Sequence, residues 1–306
     1  VGWFTRGRDE ADEERDPELP LSVLQAQRLR GLVRTAWAEA GREVTVYSDH
    51  VEDASGGTFG LWNLAATVAD APPRRWPRLV ATHVQRLATP GPGIADLTDS
   101  QLHDQLVLRL AEGTSLPEPW FPTAPTLVGD LREVLVIDFP DTVITPSERE
   151  LAARGDLDAW RAVGRANLWR LMRSERRECE VVRRGDGGDF HVLMGDSVYT
   201  ASMTLFLPEL LSLAGQPAGH AGVLVALPFR NQVGFRLVDG PGAAGALRNL
   251  FLFAMAGYDE APGPLSPHVF WVSDGRWVQL TRRDDEGARI EVPADLARAL
   301  GIAGDA

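Results

Sequence analysis

The chain has 306 residues, 44% hydrophobic and 24% charged, a balance that excludes a disordered or collagen-like chain. Its 43 acidic residues outnumber 31 basic ones, all arginine, for a formal net charge of -12. With no arginine block, such a chain is poorly suited to a phosphate backbone and is repelled by anionic lipid, so neither nucleic acid nor membrane is an expected partner.

The lysine-free composition fits a G/C-rich genome, because arginine codons are G/C-rich. A single cysteine, Cys179, leaves no intramolecular disulfide and no multi-cysteine metal site. No window reaches the about 18 consecutive apolar residues of a membrane span. The first 20 residues carry seven acidic residues and three arginines with no apolar run, unlike a secretory signal. A cytoplasmic location is the expectation.

Residues 1–20 read as a solvated, disordered acidic tail. Ser22 then caps a helix carrying Val23, Leu29, Leu32, Val33, Ala36 and Trp37, closed by Gly41. Arg42 to Ser48 alternates as a strand, Ser55-Gly56-Gly57 turns, and Thr58 to Trp62 returns as a second strand. Trp76 to Leu87 is amphipathic and helical, and Thr89 to Gly93 breaks it. Asp99 to Ala111 reads as a short helix, with Leu102, Leu106 and Leu110 on one face. Pro117, Pro119, Pro122 and Pro125 form a stiff connection, and the main boundary is placed there.

Beyond it, Val134 to Phe139 is a buried strand, Pro146 starts a helix that Gly155 ends, and Asp156 to Arg173 is a longer helix. Cys179 to Arg183 and Phe190 to Met194 form a hairpin around Gly185-Asp186-Gly187-Gly188. Val198 to Ala201 extends the sheet, and a helix follows with Leu207, Leu210, Leu211 and Leu213. Val223 to Leu227 pairs with Val233 to Val238. A helix runs from about Ala243 to Ala256, Val269 to Ser273 pairs with Trp277 to Leu280, and a small helix lies near Pro293 to Leu300. Short turns with interposed helices predict an α+β fold with mostly antiparallel sheets. The expected organisation is an αβ subdomain over 21–116, a linker over 117–126, a main domain over 127–281 and a tail over 282–306.

Gly240-Pro241-Gly242-Ala243-Ala244-Gly245 satisfies G-x-G-x-x-G between a strand and a helix, with Asp259 and Glu260 about twenty residues on. Gly240, Gly242 and Gly245 are thus the candidate nucleotide-binding residues. Against this, the preceding strand is the second arm of a hairpin, and too little chain follows for a doubly wound sheet. Gly195-Asp196-Ser197 echoes a serine-hydrolase block, but neither His220 nor His268 has an aspartate three residues before it. The six histidines form no H-x-H or H-x-x-x-H pair, and the acids around His50 do not match a calcium loop. His83, among Leu79, Val80 and Leu87, reads as a packing residue. Glu178 and Glu180 flank Cys179 and disfavour its thiolate. No catalytic residue, metal ligand or resident cofactor is assigned. The segment Leu247 to Ala256 is apolar nearly all round, which makes Leu250, Phe251 and Phe253 candidates for meeting a protein partner or a second copy.

Four blocks follow one another in a set order: Phe59-Gly60-Leu61-Trp62-Asn63-Leu64, Ala166-Asn167-Leu168, Gly195 to Ser202 with Leu207-Pro208-Glu209-Leu210, and Val225-Ala226-Leu227-Pro228 with Leu265 to Trp277. That order resembles the YtpQ-like bacterial family, whose members carry a domain of unknown function. The likeness covers roughly residues 25–281. It implies that the Gly-Asp-Ser turn is a landmark of the fold, and it brings no activity to carry over. The expected function is a non-catalytic binding or regulatory module that engages a protein partner or itself. The alternatives are a small-ligand enzyme or sensor using the Gly240–Gly245 turn, and a hydrolase using Ser197.

Overall fold

The computed structural model describes residues 14–54, 58–88, 93–139, 142–185, 187–216, 221–240, 242–284 and 287–302. The Ser55-Gly56-Gly57 turn, most of the 89–93 break, Asp186, His220 and Pro241 lie outside them. The described residues are α+β, and their strand pairs are all antiparallel. They fall into two compact units, 14–88 with 260–262 and 93–259 with 263–302.

In the first unit, helix α1 (Val23–Glu39) opens with a reciprocal cap between Ser22 and Gln25. A small sheet follows, made of β1 (Val44–Val46), β2 (His50–Asp53) and β3 (Thr58–Gly60) in that order. Helices α2 (Trp62–Ala69) and α3 (Trp76–Ala88) complete it, around Leu29, Val33, Trp37, Leu64, Trp76 and Val80. The second strand expected over Thr58 to Trp62 stops at Gly60, and Trp62 opens a helix instead.

Residues 14–20 are not a free tail. Leu19 and Leu21 are buried in this core, and Arg30 forks onto Asp16 with nitrogen–oxygen distances of 2.9 and 3.0 Å. Burial pushes the Asp16 carboxyl up, but the hydrogen bonds and charge of Arg30, with the amides of Glu18 and Leu19, outweigh it and leave it below its ordinary value. A lowered acid contributes stability above the unfolded carboxylate range and loses it as pH falls through the folded value. Asp16→Asn is therefore expected to cost about 1–2 kcal/mol at pH 7. In urea titrations the gap to wild type should close as pH falls below about 3.9.

The second unit begins with α4 (Asp99–Gln105) and β4 (Leu106–Glu112). The single helix expected over Asp99 to Ala111 is thus half strand. Leu102, Leu106 and Leu110 are four apart, and residues four apart share a face in a helix and in a strand alike. Leu106 to Glu112 pairs residue for residue with β6 (Leu131–Asp138), which also pairs with β5 (Thr126–Val128) and β7 (Val143–Ile144). The prolines of 117–125 therefore form a loop inside one sheet, and the division between units falls before residue 93.

Helix α5 (Glu148–Ala152) and helix α6 (Leu157–Ser174) come next. Asn167 of α6 donates to the carbonyls of His103 and Leu106 at 2.8 and 2.7 Å, holding the helix-to-strand junction. The principal sheet contains β8 (Arg177–Val182), β9 (Phe190–Gly195), β10 (Val223–Ala226), β11 (Gln232–Leu237), β12 (Val269–Ser273) and β13 (Arg276–Gln279). Its order is β13-β12-β10-β11-β9-β8. The strand expected over Val198 to Ala201 does not form: residues 198–200 turn, and 201–206 form a 3-10 helix leading into α7 (Leu207–Leu213). The long helix α8 (Gly242–Glu260) lies between β11 and β12 in the chain.

Both faces of this sheet are covered. Val223, Val225, Phe270 and Val272 belong to one core with Leu108, Leu135, Leu168 and Leu210; Leu224, Ala226, Val269 and Trp271 belong to another with α8. This explains the continuous apolar runs of β10 and β12, since a strand buried on both sides has no polar alternation. Residues 282–302 are not a tail. They carry β14 (Thr281–Asp284), β15 (Gly287–Ile290) and α9 (Ala294–Ala299), and Leu296 and Leu300 are buried in the α8 core. No helix among the described residues is long and apolar enough to cross a membrane.

Candidate anion-binding site

Arg109 interrupts the buried run Leu106-Val107-Leu108 and Leu110-Ala111 on β4. Beside it, the Leu110 amide donates to Ser202 Oγ at 3.0 Å. One residue earlier, the Ala201 amide donates to the Arg230 carbonyl at 3.0 Å. The 199–202 segment is thus stitched to β4 next to Arg109 and to the β10–β11 turn at Arg230. That turn is itself fixed. The Arg230 amide donates to the Gly263 carbonyl at 3.0 Å, and the Arg230 side chain lies flat on Gly263, where a Cβ would come within 2.6 Å of Arg230 Cδ.

The neighbouring Asn231 holds the Gly-Asp-Ser turn. Its amide nitrogen lies 3.4, 3.1 and 3.0 Å from the carbonyls of Gly195, Asp196 and Ser197. Ser197 Oγ accepts from the Tyr199 amide at 3.2 Å, and its carbonyl takes the Thr200 hydroxyl at 2.8 Å. Ser197 is therefore a turn residue, with no base bonded to its hydroxyl among the described residues. His268, for its part, faces the Thr281 hydroxyl at 3.3 Å.

The electrostatics of the arginine pair set it apart. Both Nε atoms are buried and reach no acceptor among the described residues. Burial lowers both guanidinium pKa values, and the charge of Arg230 lowers that of Arg109 further. No carboxylate is among the charges acting on either one. Both residues keep partial exposure, although their Nε atoms are sealed from solvent. Tyr199 is buried beside Asp138; burial first, and then the charge and hydrogen bonding of Asp138, hold the phenol protonated far above its ordinary value. Asp138 is in turn raised by burial, with Tyr199 opposing. Glu175 also acts on Tyr199.

In the clefts of the described residues, several charged groups find partners. In a cleft of about 600 Å³ between α1 and β1–β2, Arg42 meets Asp53 at 3.3 Å. In one of about 550 Å³ beside the β5–β6 turn, Asp130 accepts from the Thr114 amide at 2.9 Å and Arg132 donates to Thr126. Arg161 meets Glu148 at 3.0 Å under the proline-rich loop. The chain matches no family model, no curated protein and no solved structure. The unpaired guanidinium groups are then the strongest pointer to what it does.

The glycine motif does not sit in the βαβ unit of a dinucleotide-binding turn. Gly240 follows β11, which is antiparallel to both β10 and β9, so no βαβ crossover exists. Gly242 opens α8, and Gly245 lies under the chain's own β8–β9 turn. The backbones there are so close that a Cβ on Gly188 would stand 2.6 Å from the Gly245 carbonyl carbon. Asp259 is engaged by Arg283 at 3.5 Å.

The apolar helix face is also spent internally. Leu250 and Phe251 are buried, and Phe253 packs on Phe190 with ring centroids 5.3 Å apart. That leaves Leu252 as the large exposed apolar side chain of α8. Elsewhere, burial lowers His83, raises the Cys179 thiol, and no group of three metal-ligating side chains is assembled among the described residues.

Sequence reasoning missed Arg109 and Arg230. In a helix over 99–111 Arg109 would fall off the face of Leu102, Leu106 and Leu110, and only the strand assignment turns it into a cation inside an apolar run. Arg230 sits at a turn, where an arginine attracts no notice. Nothing in the sequence joins the two; hydrogen bonds from Leu110 and Ala201 do.

Proposed function

We propose that this chain is a non-catalytic module that binds a small anionic ligand through Arg109 and Arg230. The observation that carries the reading is the pair of buried Nε donors with no acceptor among the described residues and no carboxylate acting on either arginine. Arginine is rarely buried without a partner, because desolvating an unpaired cation costs several kcal/mol. A guanidinium fork matches oxyanions. Binding is favoured over catalysis because Ser197 and Cys179 have no activating base among the described residues.

A ligand site built on stored desolvation has a testable signature. Arg109→Met is expected to stabilise the ligand-free protein by about 1–2 kcal/mol, since an apolar side chain removes the buried charge. The same variant should lose any thermal stabilisation that oxyanions give the wild type over chloride at equal ionic strength. A destabilised Arg109→Met that keeps its oxyanion response would overturn the reading.

A further inference from the structure

Resting on that reading, we infer that the group bound between Arg109 and Arg230 is a terminal phosphoryl dianion, free or carried by a small ester. The first argument is charge. Arg109 and Arg230 are two cations on which no carboxylate acts, so one carboxylate would leave a positive charge buried and unmatched, whereas a dianion cancels both.

The second argument is acceptor count. The two arginines arrive from separate elements, β4 and the β10–β11 turn, and each leaves its Nε without an acceptor. A carboxylate has two oxygens and is filled by one bidentate fork. Two guanidinium groups are better served by the three terminal oxygens of a phosphoryl group.

The third argument concerns what is kept out. Asp138 and Glu175 are close enough to act on Tyr199, and the chain as a whole is strongly negative. A polyanion would meet both, so the phosphate backbone of a nucleic acid is disfavoured and a single small phosphoryl group is not.

Calorimetric titration of the full chain at pH 8 tests this with five probes: inorganic phosphate, methyl phosphate, dimethyl phosphate, succinate and acetate. Dimethyl phosphate keeps the tetrahedral oxygens but carries one charge; succinate carries two charges on separate carboxylates. Methyl phosphate or inorganic phosphate should bind at least tenfold more tightly than the other three. Tighter methyl phosphate points to an ester, and tighter inorganic phosphate to the free ion.

Arg109→Gln and Arg230→Gln, each verified as folded by its cooperative unfolding, should weaken that binding at least tenfold. Equal affinity for acetate or succinate would overturn the phosphoryl assignment while leaving an anion site intact. No binding by any probe, or binding indifferent to both substitutions, would overturn the anion reading itself.

Discussion

Gly164→Ala is expected to lower the unfolding free energy by about 2–3 kcal/mol, although alanine is the better helix former by about 1 kcal/mol. Gly164 is where α6 comes closest to β4. A Cβ there would lie 2.5 Å from Leu135 Cδ2, 2.9 Å from the Leu108 amide nitrogen and 3.2 Å from the Val107 carbonyl carbon. Leu135 can rotate away, but the Leu108 and Val107 atoms are backbone held in the ladder with β6. The helix would have to lift from the sheet, loosening the Asn167 bonds to His103 and Leu106. The control is Gly31→Ala on α1, where a Cβ meets nothing within 4 Å. There the same exchange should stabilise by about 0.5–1 kcal/mol. Urea titrations read both, and a neutral Gly164→Ala would show that α6 does not rest on β4 this closely.

A second large loss is expected for Gly188→Ala, of about 2–3 kcal/mol or more. Gly188 ends the β8–β9 turn, and a Cβ on it would meet Asn249 Nδ2 at 2.5 Å and the Gly245 carbonyl carbon and oxygen at 2.6 and 2.7 Å. Its carbonyl also accepts from Asn249 Nδ2 at 3.0 Å in a buried bond. Displacing the turn breaks that buried bond, a loss of about 0.5–1.5 kcal/mol on top of the overpacking. Gly185→Ala, in the same turn with open space around it, should be close to neutral. Amide exchange in the first turns of α8 should accelerate in Gly188→Ala and not in Gly185→Ala. Equal behaviour of the two would refute the close crossing of turn and helix.

The hairpins β8–β9, β10–β11 and β12–β13 were legible because each joins short apolar runs across a polar turn, a signal confined to neighbouring residues. The cap at Ser22 and the stripe of α6 were legible for the same reason. The failures have physical causes as specific. Leucines four apart at 102, 106 and 110 satisfy helix and strand equally, which concealed β4 and with it the true place of the proline-rich loop. Residues 14–20 and 282–302 are rich in charge, yet Leu19, Leu296 and Leu300 are enough to dock them.

The candidate site was the least legible part. Arg109, Tyr199 and Arg230 are brought together by bonds from Leu110 and Ala201, long-range contacts with no local pattern. The glycine motif, by contrast, was a strong local pattern serving a close backbone crossing.

The placement of α8 has a consequence for how this protein assembles. The chain completes β11, leaves the sheet to build the helix, and only then returns with β12 to pair with β10. The hairpins on either side can close early, since their loops are short, but neither has a core on its own. The central β10–β12 ladder and the burial of Leu224, Ala226 and Val269 under α8 therefore belong to one nucleation event. That pairing closes a long loop containing the helix, and non-local pairing of this kind slows folding relative to local contacts.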